Sequence, residues 1–226
     1  MTVIGTVTRS VVPDVAARVF ACVGINFGDP AALYTWPWEL EAVRQAAVAQ
    51  GMSYKTLAPE LSTWARVSNA LEHGLCSVVY VTAHGDYRPI LGEWRTIFTL
   101  NDTVVLSRPV PGFPFWPDVH SLGLTDSGRI KFFWLNSCNS GVNSDMAFEL
   151  GMMSANNYEY MDQTYLGWDC AVSGDERLLD FVQTYWSWFG TGYPVSTSLW
   201  WAGFQVGWDM YSHVRPFGFP ETTWME

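Results

Sequence analysis

Charge is scarce and one-sided in this chain. Only 15% of its 226 residues are charged, and 12 basic side chains stand against 22 acidic ones, a net of −10. With no basic stripe to displace counterions, a nucleic-acid backbone is excluded as the expected partner. The acidity suits a cationic substrate or simply solubility. No apolar run approaches the roughly 18 residues that a membrane-spanning helix needs. Met1 to Val12 holds no basic segment leading into an apolar core, so no signal peptide is expected and the cytoplasm is the default location. Cysteine is sparse as well. Cys22, Cys76, Cys138 and Cys170 are widely separated and contain no C-x-x-C pair, which argues against a zinc knuckle and makes reduced thiols the expectation. Internal repeats, low-complexity tracts and linkers are absent, so residues 1–226 read as one domain, and no motif calls for a cofactor.

What is present is a folded core: 49% of the residues are hydrophobic. Arg18 to Ile25 is a near-continuous apolar run and predicts a buried strand. A loop from Asn26 to Pro37 leads into a helix over Trp38 to Gln50, stopped by Gly51. Ser53 to Leu57 predicts a second strand. Pro59 starts a helix whose apolar positions Leu61, Trp64, Val67 and Leu71 end before Gly74. A strand then runs to His84. This alternation predicts an α/β three-layer sandwich: a mostly parallel sheet of about six strands with helices on both faces. Residues 86–128 read as an irregular loop insertion, with a hairpin about Asn101-Asp102 within Thr96 to Leu106. Further on, a helix is expected over Ser144 to Met152, a strand over Thr164 to Trp168, and helices over Asp175 to Phe189 and Pro194 to Tyr211. The last helix carries two apolar stripes, Val195, Leu199, Ala202 and Val206 on one side, Trp200, Phe204, Trp208 and Tyr211 on the other. Such a helix is normally buried beneath loops; the alternative is an aromatic homodimer interface or substrate wall.

Two blocks carry the chemistry. Val78-Val79-Tyr80-Val81-Thr82-Ala83 ends in His84-Gly85, and Ile130-Lys131-Phe132-Phe133-Trp134-Leu135-Asn136-Ser137 ends in Cys138, followed by Asn139-Ser140-Gly141. In open parallel sheets, sites lie at the carboxyl ends of the strands. Adjacent strands ending this way would hold a thiol beside an imidazole, the requirement for a cysteine nucleophile and its base. Gly85 permits close backbone approach, and its N–H and that of Cys138 are oxyanion donors by position. Asp86 is near enough in sequence to touch His84 or to serve as a polar turn residue. His73 fits a helix C-terminus, His120 reads as structural, His213 has no evident partner, and Cys22 and Cys170 read as packing cysteines.

A hydrophobic block ending in His-Gly, then a second ending in cysteine with glycine soon after, resembles the signature of the caspase-like (clan CD) cysteine peptidases. The separation of 54 positions from His84 to Cys138 agrees with the roughly 50 found in caspases. Ala83-His84-Gly85 and Asn136 to Gly141 are most similar to the legumain-like, gingipain-like and CHAT-type versions. Ser137 stands where Ala is usual and Asn139 where an acidic residue is usual. The resemblance implies a caspase-like fold and endopeptidase activity on a peptide or protein substrate through a thioester. It implies three further roles. Asn26 would orient the imidazole, or be an ordinary turn asparagine. Asn136 would line the first specificity pocket. Asp169 would select Arg or Lys there, or be a solvated loop residue. The alternative function is a catalytically inactive module of the same fold that binds partners. A metal hydrolase built on His84, Asp86 and Cys138 ranks last, since no second histidine sits at ligand spacing.

Overall fold

Four segments that are apolar on both faces form the centre of a sheet, the pattern expected when helices cover both sides. The computed structural model describes residues 18–24, 35–124, 129–153 and 162–223. In chain order the elements are β1 (Val19–Gly24), α1 (Trp36–Ala49), β2 (Tyr54–Leu57), α2 (Trp64–His73), β3 (Val78–Ala83), β4 (Gly85–Ile90), β5 (Glu93–Thr99), β6 (Val104–Leu106), β7 (Phe132–Asn136), α3 (Asp145–Glu149), β8 (Thr164–Trp168), α4 (Glu176–Phe189), α5 (Val195–Val206), α6 (Trp208–His213) and β9 (Val214–Gly218). Six of the strands make a sheet in the order β2-β1-β3-β7-β8-β9. Every pairing in it is parallel except that of β8 with the edge strand β9. Every residue of β1, β3, β7 and β8 is buried.

Alternation along these strands divides the core in two. Cys22, Val79, Val81, Phe133 and Leu135 face α2 and α3, packing with Leu71 and Met146. Ala21, Val23, Tyr80, Phe132 and Trp134 face α1, α4 and α5, packing with Val43, Trp186 and Leu199. The result is the three-layer α/β sandwich that the alternating pattern predicts.

The insertion after His84 is more ordered than its composition suggests. β4, β5 and β6 form a separate antiparallel sheet, so the irregular segment expected over 86–128 is corrected. The hairpin about Asn101-Asp102 is there, but a second one precedes it. Its two-residue turn, Leu91-Gly92, has φ of 51° and 84°, the positive values that hairpin turns with the right twist require. Leu is an unusual residue for such a turn, so the signal was hidden. This small sheet is fastened to α3 by buried Asp145, which accepts from Thr96 N–H (2.8 Å) and Ser107 Oγ (2.6 Å).

Three helix boundaries also move. The helix expected from Pro59 is a short 3-10 turn, Pro59–Leu61, then a break before α2. Ser62 makes the break: its hydroxyl lies 3.2 and 3.0 Å from the carbonyls of Leu57 and Ala58 and accepts from Val23 N–H, competing with helix continuation. The helix over Ser144 to Met152 shortens to α3, with Gly151 in the left-handed region at φ 72°. The long C-terminal helix is split at Gly207 (φ 155°), and α6 folds back so closely that a methyl group on Gly203 would meet the Tyr211 Cβ at 2.8 Å. Its first stripe is buried at Val195, Leu199 and Ala202. Its second is not: Trp200, Phe204, Trp208 and Tyr211 are 37–59% exposed. Burial beneath loops, the first expectation for this helix, is therefore corrected. β9 was not anticipated, because Pro216 interrupts its pattern; proline is tolerated there because the strand is an edge.

Asp175 caps α4, its carboxylate accepting from Leu178 N–H (3.0 Å) and from Ser173 Oγ (2.5 Å). The Ser173 hydroxyl first, then the helix N–H, hold this carboxyl below its ordinary range. A lowered native pKa adds stability above the unfolded-state value near pH 4, lost as pH falls through the native one. Asp175→Ala is expected to cost about 1 kcal/mol at neutral pH. In denaturant titrations, the difference from the parent should shrink between about pH 5 and pH 3.

Candidate functional site

β3 and β7 are parallel neighbours with Thr82 opposite Asn136, so the chain leaves both strands at one level. His84 directly follows β3, and Cys138 comes two residues after β7. Both are partly exposed, and both line one cavity of about 220 Å³ together with Thr82, Ala83, Asn136, Val172, Ser173, Gly174 and Leu178. The two strand-end residues singled out in the sequence thus share one recess.

Each is held by backbone. The His84 carbonyl accepts from Thr99 N–H (2.9 Å) and lies 3.3 Å from Thr99 Oγ1. That bond makes His84–Thr99 a bonded pair of the antiparallel ladder, so the next pair, Gly85–Phe98, is a non-bonded one and the Gly85 N–H turns away from β5. Gly85 admits no side chain: a methyl group would lie 1.7 Å from Ser137 Oγ and 2.7 Å from the Ile97 carbonyl oxygen. On the other side, the Val172 N–H donates to Cys138 Sγ at 3.3 Å, and Sγ lies 3.4 Å from the Val172 carbonyl. The loop after β8 therefore grips the sulfur.

The turn after Cys138 is built from its own sequence. Asn139 adopts φ 57°, a left-handed conformation that asparagine tolerates better than most side chains. Its N–H donates to the Cys170 carbonyl (2.9 Å) and its side-chain amide donates to Asp86 Oδ1 (3.1 Å). Asp86 accordingly ties the histidine strand to the cysteine turn; it also accepts from Tyr87 N–H and does not line the cavity. Ser140 is buried, accepts from Trp168 N–H, and lies 2.7 Å from the Ser137 carbonyl. Gly141 packs directly on Gly167, backbone to backbone.

Below the cavity lies a polar network that the sequence did not announce. Asn136 is buried and its amide is fully engaged: Nδ2 donates toward Glu39 Oε2 (3.1 Å) and Tyr80 OH (2.8 Å), and Oδ1 accepts from Trp168 Nε1 (2.7 Å). Glu39, 1% exposed on α1, also accepts from Thr35 Oγ1 and Tyr80 OH, both at 2.6 Å. Burial, and next the Glu39 charge, push the Tyr80 hydroxyl well above its ordinary range, so it stays a donor. One signal was legible: Glu39 occupies the same helix face as Val43 and Ala46, a charge on an apolar stripe.

The remaining candidates fall elsewhere. Asp169 does not line the cavity with His84 and Cys138; it pairs with Arg215 and with His213 Nδ1 (2.8 Å), supplying the partner His213 lacked. Asn26 lies outside the described residues. His120 pairs with buried Glu149 (2.7 Å) and His73 with Glu72 (3.4 Å). Cys22 is buried, as expected, but Cys170 is partly exposed beside Cys138. No protein-family model matches this chain, and no curated protein is significantly similar to it.

Thiol environments separate the four cysteines. Burial raises the Cys22 thiol far above its ordinary range and pushes Cys76 up to about 11; Cys170 is raised by burial, then by Asp169 and Cys138. Iodoacetamide at pH 7.5 is expected to alkylate Cys138 first, with Cys22 and Cys76 unmodified in the native protein, as read by peptide mass spectrometry. Glu39→Ala, which strands three buried donors, should cost about 3 kcal/mol or more in urea titration. Ser137→Ala should stay within about 0.5 kcal/mol of the parent, because Ser137 Oγ is buried with no hydrogen-bond partner among the described residues.

Proposed function

We propose that this chain is a cysteine endopeptidase of caspase-like type. The single observation that carries the reading is that His84 and Cys138, at the ends of neighbouring parallel strands, line one cavity. The mostly parallel six-stranded sheet with helices on both faces supports the caspase-like reading of the fold. Cys138 Sγ attacks the scissile carbonyl carbon, and the imidazole of His84 passes a proton to the leaving amine. The resulting thioester is cleaved by a water that His84 deprotonates, which releases the acid and restores the thiol. The N–H groups of Gly85 and Cys138 stabilise the oxyanion in both steps; the outward-turned Gly85 N–H supports its part. Asn26 remains the proposed orienting group for the imidazole.

The cavity suits one side chain rather than a whole ligand, since its volume of about 220 Å³ falls short of the roughly 300 Å³ at which small-molecule pockets begin. Besides His84 and Cys138 it is lined by Thr82, Ala83, Asn136, Leu178 and the loop Val172 to Gly174, and no acidic residue among the described ones lines it. With Asp169 occupied by Arg215, an uncharged P1 residue fits better than Arg or Lys. A second reading, a binding module of the same fold, rests on the exposed aromatic surface of α5 and α6, where Trp200 stacks on Phe204 at 5.3 Å. That surface is also the proposed homodimer contact, and sedimentation equilibrium of a Trp200→Ser variant tests it: the parent is expected as a dimer and the variant as a monomer.

A fluorogenic peptide library is expected to show thiol-dependent cleavage with an uncharged P1. Cys138→Ala should abolish it and His84→Ala should reduce it by at least about 10³-fold. Full turnover by Cys138→Ala would refute the assignment of the nucleophile, and a preference for Arg or Lys would refute the account of the pocket.

A further inference from the structure

We propose that Asp169, Cys170 and His213 form a zinc-binding site at the end of the β8–β9 pair. Antiparallel pairing sets Trp168 opposite Val214, and the next step of the ladder, Asp169 N–H to the His213 carbonyl (2.9 Å), makes Asp169 and His213 cross-strand neighbours. Cys170 follows in the bend beyond. One ligand atom from each residue, a carboxylate oxygen, a thiol sulfur and a ring nitrogen, lies within 4.8 Å of the other two. Tetrahedral coordination with bonds of about 2.0–2.3 Å sets ligand atoms about 3.3–3.8 Å apart, so the three need only small rotations to converge. The 2.8 Å contact between His213 Nδ1 and Asp169 Oδ1 opens by about half an ångström.

The donor set selects the ion. A thiolate, an imidazole and one carboxylate suit zinc, whereas calcium and magnesium require oxygen ligands throughout. Arg215 engages the other Asp169 oxygen and orients the carboxylate, so that Oδ1, now against His213, is the oxygen that turns to the metal. Binding exchanges the Cys170 S–H proton for a Zn–S bond, and the proton goes to solvent. Three protein ligands leave a fourth position, and Cys170 and His213 line a cavity of about 430 Å³ from which water or an outside donor can fill it.

Zinc here bears on the cysteine site through two backbone contacts. The Cys170 carbonyl accepts from Asn139 N–H, and Val172, two residues on, grips Cys138 Sγ. Val172 and Ser173 line both cavities. A metal on Cys170 therefore stiffens the loop that holds the nucleophile. The site itself does not depend on the peptidase reading.

The test is calorimetric titration of zinc chloride into the full chain carrying Cys138→Ala, so that the cavity thiol cannot serve as a ligand. One zinc per chain is expected, with release of about one proton below pH 8, and cobalt in its place should give a thiolate charge-transfer band. Cys170→Ser and His213→Gln, each in the same background, should weaken binding by more than about 100-fold while keeping the parent's melting temperature in chelator. Zinc should also slow iodoacetamide labelling of Cys138 in the otherwise native chain. Unchanged affinity in either variant would overturn the proposal. So would binding that Cys138→Ala abolishes, since the metal would then belong to the His84–Cys138 cavity. Should Cys170→Ser fail to fold, His213→Gln and the cobalt spectrum decide.

Discussion

Parallel pairing of β3 with β7 is the constraint on which everything functional rests. The register that sets Thr82 against Asn136 ends both strands at one height, which puts His84 and Cys138 on one cavity. A slip by one residue would break that alignment and would also turn the alternating core faces outward. The register is held by what lies on each face: Val79, Val81, Phe133 and Leu135 packed toward α2 and α3, Tyr80 and Trp134 packed against Trp186 of α4. Core packing and site geometry are thus one problem.

Immediately beneath the cavity the same strands contribute a hydrogen-bonded chain, Trp168 to Asn136 to Tyr80 and Glu39. It joins α1 to three strands of the sheet. In an apolar interior such a network specifies one arrangement, because any other leaves polar groups unpaired. The Asn136 side of the cavity is rigid in consequence, since its amide N–H groups and its carbonyl oxygen are already engaged. The opposite wall is of another kind. Val172 to Gly174 is loop, joined to the Cys138 sulfur through the Val172 N–H and carbonyl, and it continues into the cap of α4 at Asp175. The β8–β9 corner touches the cavity from both sides, through Val172 on Cys138 Sγ and through Trp168 on the Asn136 amide.

Glycines at the cavity reflect the same crowding. Gly85 lies against Ser137, and Gly141 against Gly167. A methyl group on Gly85 would meet the Ser137 side chain and the Ile97 carbonyl, and one on Gly141 the backbone of Gly167 in β8, which explains why glycine follows the histidine and appears three residues after the cysteine without any appeal to chemistry.

By itself the sequence determined the layered α/β class, the strand ends at His84 and Cys138, and most of the helices. These follow from local periodicity and from glycine and proline punctuation, which act over a few residues. The hairpin at Leu91-Gly92, the break at Ser62 and the edge strand containing Pro216 were not legible, because each departs from residue preference and is upheld by partners distant in the chain. The same holds for the site. That Asn136 faces Glu39, that Asp169 is taken by Arg215 and His213, and that Cys170 is partly exposed beside Cys138 were decided only by the tertiary structure. A side chain's partners depend on which strands become neighbours and in what register, and that is settled by the packing of the whole core.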